Sequence, residues 1–285
     1  MKPAPFTYHA PKTVAEALET LAEVAGDDGR VLAGGQSLVP IMAFRMARPK
    51  HLIDINGLRE LNYIEVQQNK LLIGAATRHA AFEKPVEDGP LGRLLADVVR
   101  HIAHHPIRTR GTFCGSIAHA DPASEWCMVA ATLDADIVLR SVRGTRTVKA
   151  GEFFEGIMTT ARADDELLTA VELPILPADT RAGFCEFSRR AGDFALGMAL
   201  ACFRLQDGVM TDTRLGVGGA EARPRRIAEA EAVLNGCKPQ ADVFEAAAVA
   251  AAAAIDPLED INTNAEYRRD LVRAMTRRAL ERAAA

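Results

Sequence analysis

No two of the five cysteines, Cys114, Cys127, Cys185, Cys202 and Cys237, lie within four residues of one another. Structural zinc and iron–sulfur sites draw their ligands from close pairs such as CxxC, so this spacing speaks against an internal cluster. An odd cysteine count in a chain of this kind reads as free, mostly buried thiols. Long apolar runs are also missing. The longest run in the alanine-rich region, Ala246–Ile255, is half the length a spanning helix needs. The opening stretch, Met1–Thr13, holds no apolar core of the secretory kind, and a cytoplasmic location without membrane insertion is expected. Charge of one sign is not in excess: the net charge is −4, which gives no general field for nucleic acid. Neither GxGxxG nor a P-loop lysine is present, which disfavours a Rossmann dehydrogenase and a Walker ATPase.

What remains is an ordinary balance, 48% hydrophobic and 25% charged, in 285 residues. That length suggests about two domains. Thr13 to Glu16 forms a capping box ahead of Val14, Ala17, Leu18, Leu21 and Val24 at helical spacing. A strand over 30–33 is expected to run into Gly34-Gly35-Gln36-Ser37, followed by a helix over 38–46. Short strands are expected over 51–55, 63–66 and 71–75, with an Asn69-Lys70 turn, and a helix over 91–103. The stretch 108–122 is rich in Gly, Ser, Thr and His and reads as a long functional loop. A helix capped by Ser124, then strands over 137–141, 146–148 and 167–173, complete the first part. Leu173-Pro-Ile-Leu-Pro177 marks a boundary. Beyond it, strands over 184–189, 199–205 and 215–217 precede helices over 225–234, 242–255 and 265–282, an α+β pattern.

Two segments carry chemistry. In Val31-Leu-Ala-Gly-Gly-Gln-Ser-Leu38 a strand enters a double-glycine turn before a helix. Glycines let backbone N–H groups approach an anion, and a helix N-terminus adds partial positive charge. The pattern suits a pyrophosphate, and it equally suits a plain strand-to-helix turn. The second segment, Arg110 to Trp126, offers the hydroxyls of Thr112 and Ser116, the glycines Gly111 and Gly115, and the carboxylate of Glu125. Hydroxyls and open backbone suit phosphate oxygens; a carboxylate suits vicinal hydroxyls.

Together these segments resemble the FAD-binding medium subunit of the molybdenum hydroxylases, the xanthine dehydrogenase and aerobic carbon monoxide dehydrogenase family. The resemblance lies in Ala33–Ser37, Thr112–Ser116 and Glu125, and continues in Asp165–Thr169, Ser188–Ala195, Gly218-Gly219 with Arg223-Pro-Arg225, and Ala265–Arg269. It implies an α+β fold: an FAD-binding domain of the vanillyl-alcohol-oxidase (PCMH) type over 1–176, with subdomains of about 1–56 and 57–176. A smaller α+β domain over 177–285, like the C-terminal domain of carbon monoxide dehydrogenase flavoprotein, follows. By the same resemblance Val31, Leu32, Ala33, Gly34, Gly35, Gln36, Ser37 and Leu38 wrap the FAD pyrophosphate, and Thr112, Gly115 and Ser116 continue the cradle. Ile102 and Ala103 sit against the cofactor, Glu125 meets ribose or ribityl hydroxyls, and Leu168 packs near the ring system.

The activity implied is that of an oxidoreductase subunit. Electrons reach FAD from the [2Fe–2S] clusters of a small partner subunit and leave for an external acceptor. Hydroxylation, of a small N-heterocycle or aldehyde, belongs to a large molybdopterin subunit, the whole being a dimer of heterotrimers. No catalytic or metal-binding residue is expected in this chain. The chief departures from the family pattern are Cys114, where relatives carry the first glycine of a pair, and Cys185, where some carry lysine.

Other readings compete. A self-sufficient flavin oxidoreductase on the same fold would need a group poised over the flavin, with Cys114 or His119 as candidates. A non-catalytic nucleotide-binding protein would use the same cradle. His101, His104, His105, His119 and Asp121 lack metal-ligand spacing. Arg108, Arg110, Arg189 and Arg190 suit either an anion path or a solvated face. Acids interleave the arginines of the last helix, which reads as a solvated or docking face. Trp126 reads as core.

Overall fold

A computed structural model describes residues 2–261 and 263–285. The chain builds three main sheets in succession. The first is parallel, of order β1-β3-β2, from β1 (Thr7–His9), β2 (Gly29–Leu32) and β3 (His51–Asp54). Helix α1 (Val14–Val24) buries the five predicted apolar positions. Its capping box is divided between neighbours: Thr13 Oγ1 accepts the Glu16 N–H at 3.1 Å, while Glu16 accepts the Lys12 N–H at 2.6 Å. Helix α2 (Leu38–Ala43) has only six residues, shorter than the expected 38–46.

The second sheet is antiparallel, of order β4-β5-β10-β6-β7. Its strands are β4 (Ile64–Gln67), β5 (Lys70–Gly74), β6 (Asp136–Ser141), β7 (Gly144–Lys149) and, after the small pair β8 (Phe154–Gly156) and β9 (Thr159–Thr160), β10 (Leu167–Pro174). Gln67 pairs with Lys70, so the turn residues are Gln68 and Asn69, both left-handed, one position earlier than expected. The helices of this unit are α3 (Pro90–Val98), α4 (His105–Arg108), α5 (Phe113–His119), α6 (Glu125–Thr132) and α7 (Ala150–Phe153). Helix α3 ends five residues before the expected 103: its continuation breaks into single turns and Ala103 takes φ 43°.

The 108–122 stretch is not a loop throughout. Thr112 caps α5 by accepting the Gly115 N–H at 3.1 Å, and Phe113, Cys114 and Ile117 bury the helix. Trp126 is fully buried, packed in tilted contact with Phe113 and Phe82 at ring-centroid distances of 4.7 and 5.3 Å.

The third sheet is antiparallel, of order β11-β12-β13-β14: β11 (Arg181–Phe187), β12 (Gly197–Gln206), β13 (Val209–Gly218) and the two-residue β14 (Arg225–Arg226), where a helix start was expected. Helices α8 (Ala228–Leu234), α9 (Ala241–Ala254) and α10 (Ala265–Ala284) cover one face, as the strands-then-helices pattern implies. Strand β12 is buried on both faces. Met198, Leu200 and Cys202 join the core of the preceding unit; Ala199, Ala201 and Phe203 join the core under α8–α10. Helix α6 reaches β13 closely because Gly216 has no side chain. A Cβ there would stand 1.8 Å from Thr132 Oγ1. Among the described residues no helix is long and apolar enough to cross a membrane.

Candidate cofactor site

A cleft of about 460 Å³ opens where the β2–α2 turn, α5, the start of α6 and the start of β10 converge. That is a size typical of small-molecule and cofactor sites. Fourteen of the fifteen candidate residues line it; Leu32 does not. Leu32 ends β2, and its carbonyl accepts the Ile55 N–H at 3.0 Å.

The β2–α2 turn is held from behind. The Asn56 side-chain amide donates to Ala33 O at 2.7 Å, Gln36 Nε2 to Gly34 O at 2.9 Å, and Arg78 Nη2 to Asn56 Oδ1 at 2.7 Å. Arg78 also donates to Arg110 O, which joins this turn to the segment before α5. The two segments meet at Gly34, where a Cβ would lie 2.4 Å from Arg110 O and 2.6 Å from Gly111 Cα. Gly35 has φ +73°, a conformation that favours glycine. With the carbonyls engaged, the N–H groups of Gly34, Gly35, Gln36 and Ser37 enter no hydrogen bond among the described residues. A row of free backbone donors with its carbonyls turned away is an anion-binding concavity. Helix α2 has too few turns to add much dipole, so the loop supplies the donors.

The opposite wall is apolar. Arg108 shapes it by donating to Ile102 O at 3.0 Å and Ala103 O at 3.2 Å, with Glu83 2.9 Å from its Nε. Leu167 and Leu168 form another part of the lining, and Phe194, 73% exposed, stands at the lip. Such walls suit a planar aromatic ring, while the turn suits phosphates.

Cys114, in the family's first glycine position, lies within α5, where no left-handed backbone is required. Its thiol donates to Ile73 O at 3.3 Å, and burial pushes its pKa far up. It is therefore a packing residue and a poor nucleophile. His119 lines the cleft and is held below the ordinary histidine range by burial. Glu125, at the first position of α6, is buried; desolvation raises its pKa, and the neighbouring charge of Asp121 adds to the rise. Its carboxyl lies within hydrogen-bonding reach of Glu186 from β11.

The histidine cluster diverges. His101 approaches Glu186 at 3.9 Å, His105 pairs with Glu83 at 3.0 Å, and His104 lies against Gly192. Among the described residues no group of three or more His, Cys, Asp or Glu is arranged to hold a metal ion.

Among the lining residues the sequence pattern did not single out are Arg30, Arg162 and the Gly192–Phe194 segment. Arg162 donates to the carbonyls of Ala163 and Glu166, each at 2.8 Å, folding the chain back before β10. No local motif marks such an arginine. Gly192–Phe194 falls inside the Ser188–Ala195 segment of the family resemblance, which carries no expected site residue.

Comparison with known proteins decides among the readings. Residues 4–176 match the family described as FAD binding domain in molybdopterin dehydrogenase, and residues 182–283 match the CO dehydrogenase flavoprotein C-terminal domain. The chain belongs to the FAD-binding medium subunits of the molybdenum hydroxylase family. The nicotine 6-hydroxylase medium subunit of Paenarthrobacter nicotinovorans is 36% identical over 100% of this chain and 99% of its own. The carbon monoxide dehydrogenase medium chain of Hydrogenophaga pseudoflava is 33% identical over 99% and 98%. A solved carbon monoxide dehydrogenase from Hydrogenophaga pseudoflava superposes with a TM-score of 0.95, at 35% identity and 100% and 99% coverage. Quinoline 2-oxidoreductase from Pseudomonas putida 86 gives 0.92, also at 35% identity, over 100% and 99%. This medium subunit is thus an FAD-binding flavoprotein subunit of a multi-subunit oxidoreductase.

Proposed function

We propose that this medium subunit binds FAD in the cleft between the β2–α2 turn and α5, and passes electrons from a small [2Fe–2S] subunit to an external acceptor. The reading rests on the Gly34 crossing, where two chain segments touch with no room for a side chain, beside four cleft-lining residues whose N–H groups have no hydrogen-bond partner among the described residues. Bound FAD would supply the exchange of electrons between one-electron clusters and an acceptor. The chain's own residues do the rest. The free N–H groups of Gly34 to Ser37 bind the pyrophosphate, joined by the Thr112 and Ser116 hydroxyls, while Gly115, its N–H held by Thr112 Oγ1, leaves open space in the cradle. Glu125 accepts hydrogen bonds from the hydroxyls of the ribose or ribityl chain. Val31, Ile102, Ala103 and Leu168 give apolar walls that keep water from the ring system. Cys114, packed and protonated, leaves no thiolate for a self-sufficient flavoenzyme.

The division near residue 176, with subdomains meeting near residue 56, would place the cofactor between two α+β units and leave the third sheet as the C-terminal domain. A small N-heterocycle or aldehyde would be hydroxylated on the large molybdopterin subunit in a cytoplasmic dimer of heterotrimers. The test is direct: the purified chain is denatured and its flavin identified by chromatography. FAD as the main species supports the reading; FMN, or a colourless chain that takes up no FAD, overturns it.

A further inference from the structure

Glu186 of β11 is a strongly buried acid that pairs with no arginine among the described residues. Its side chain is 3% exposed, and Oε2 has no hydrogen-bond partner among the described residues. On one side lies the Glu125 carboxyl, which lines the cleft. On the other lies His101 Nδ1, 3.9 Å from Oε2, on a side chain that is 30% exposed. Phe184, two residues before Glu186 on the same face of β11, holds the His101 ring edge-on with centroids 4.9 Å apart. The contacts therefore run in sequence from a partly exposed histidine, through a buried acid, to an acid of the cleft lining, across the packing seam between β11 and the preceding unit.

Two buried carboxyls within reach of each other form a hydrogen bond only when one keeps a proton. Desolvation of both groups favours that state, and the charge of Glu125 raises Glu186 further, so the pair titrates as one unit biased toward keeping a proton on Glu186. Other titratable groups frame the line without breaking it. Asp121 and Cys127 face Glu125, while Asp97 of α3 and Arg282 of α10 face His101. A buried acid without an arginine partner costs several kcal/mol relative to an apolar residue, and nothing in the packing of β11 requires one.

We propose that His101, Glu186 and Glu125 form a proton path from solvent to the FAD cleft. The proposal rests on the FAD reading of the cleft. Reduction of a flavin takes up protons with its electrons, and a ring shielded from water needs a route for them. Each step moves a proton and nothing else. The His101 ring, directly or through one bridging water, gives a proton to the free Glu186 oxygen; the Glu186 O–H proton passes to the Glu125 carboxylate; Glu125 presents its proton to the cleft; His101 regains one from solvent. The electrons are those delivered by the iron–sulfur partner, so no further oxidant or reductant is needed. Glu186 and His101 act through Glu125 and are positioning and relay residues.

The path is tested on the full chain with Glu186→Gln and His101→Phe. Gln keeps a hydrogen bond to Glu125 but carries no transferable acid proton; Phe keeps the ring packing on Phe184. First, infrared spectra of the FAD-free chain should contain a protonated-carboxyl band that disappears in Glu186→Gln. Second, flash reduction of the FAD-loaded chain in weak buffer with a pH-indicator dye should reveal rapid proton uptake. Each variant should slow it at least about tenfold, a modest figure for a lost proton-transfer group, with FAD content and melting temperature unchanged. Unchanged uptake in both variants, or no carboxyl band in the wild type, overturns the path while leaving FAD binding intact. A chain that takes up no FAD overturns the cofactor reading and the path with it. If Glu186→Gln fails to fold, His101→Phe alone decides.

Discussion

The indole N–H of Trp126 donates to Nδ1 of His79 at 2.9 Å, and both side chains are buried. This bond fixes the histidine tautomer: Nδ1 must be unprotonated, so His79 is neutral with its proton on Nε2. Desolvation lowers its pKa to about 4, with Arg108 and Arg78 adding to the shift. The pair therefore links the aromatic core of α5 and α6 to the segment that supports Gly111, since a Cβ on Gly111 would lie 2.6 Å from His79 Nε2.

The sign of the resulting pH dependence is fixed. His79 binds a proton near pH 6.5 when unfolded and near pH 4 when folded, so the unfolded chain holds more protons between these values. Stability should be full above about pH 6.5 and fall as the pH drops, by about 3 kcal/mol from this residue by pH 4. His79→Phe should flatten that part of the profile, yet lower stability at neutral pH by about 1–3 kcal/mol by orphaning the Trp126 N–H. Urea unfolding from pH 4 to 8 measures both. A wild-type profile flat between pH 6.5 and 4 would show that His79 is not buried in its neutral form.

Gly34→Ala should empty the cleft without unfolding the chain. One methyl group would press on Arg110 O at 2.4 Å, so the β2–α2 turn must separate from the α5 segment. Flavin affinity should drop at least about tenfold, equivalent to roughly 1.4 kcal/mol, with circular dichroism unchanged. Retention of FAD at wild-type affinity would mean that the crossing does not form the cradle.

Cys114→Gly restores the family residue and should nevertheless destabilise this protein. The position is helical, so glycine brings conformational entropy with no strain relieved, and the thiol's packing against Ile73 is lost. The expected cost is about 1–2 kcal/mol. The flavin content and midpoint potential should stay as in the wild type, the latter within about 30 mV. In the folded wild type, iodoacetamide should leave Cys114 unmodified, because burial keeps the thiol protonated.

What could be read from the sequence was local, and what could not was set by distant contacts. The Thr13–Glu16 box and the apolar spacing of α1 are complete within a dozen residues, so the helix was legible. The double-glycine turn announced itself through residue type. Helix α5 did not: Gly115, Ser116 and His119 carry weak helix propensity, and only the burial of Phe113, Cys114 and Ile117 under β5 and β10 holds them helical. Strand β14 is two residues long and exists because Arg225 and Arg226 pair with Val217 and Gly216. Arg162 lines the cleft and Glu186 neighbours the cleft-lining Glu125, both from segments with no chemical signature, placed there by the fold.

A last prediction concerns how the C-terminal helix holds the lip of the cleft. Arg268 of α10 is 5% exposed and donates to Leu196 O at 3.3 Å, to Gly219 O, and to Asp260 at 2.7 Å. The Leu196 carbonyl lies two residues beyond Phe194, and Gly219 donates its own N–H to Pro122 O at 2.8 Å, just ahead of α6. One guanidinium thus ties the loop before β12 and the loop after β13 to the segment that presents Glu125. Replacing it with methionine keeps the aliphatic stem but strands two buried carbonyls, while Asp260, about 42% exposed, regains water. Arg268→Met should lower stability by about 2–4 kcal/mol and speed FAD release, because Phe194 and Glu125 lose a shared anchor. Thermal melts and the rise of flavin fluorescence on dilution separate the two effects. A variant that melts lower yet releases FAD at the wild-type rate would confine Arg268 to the stability of its own domain.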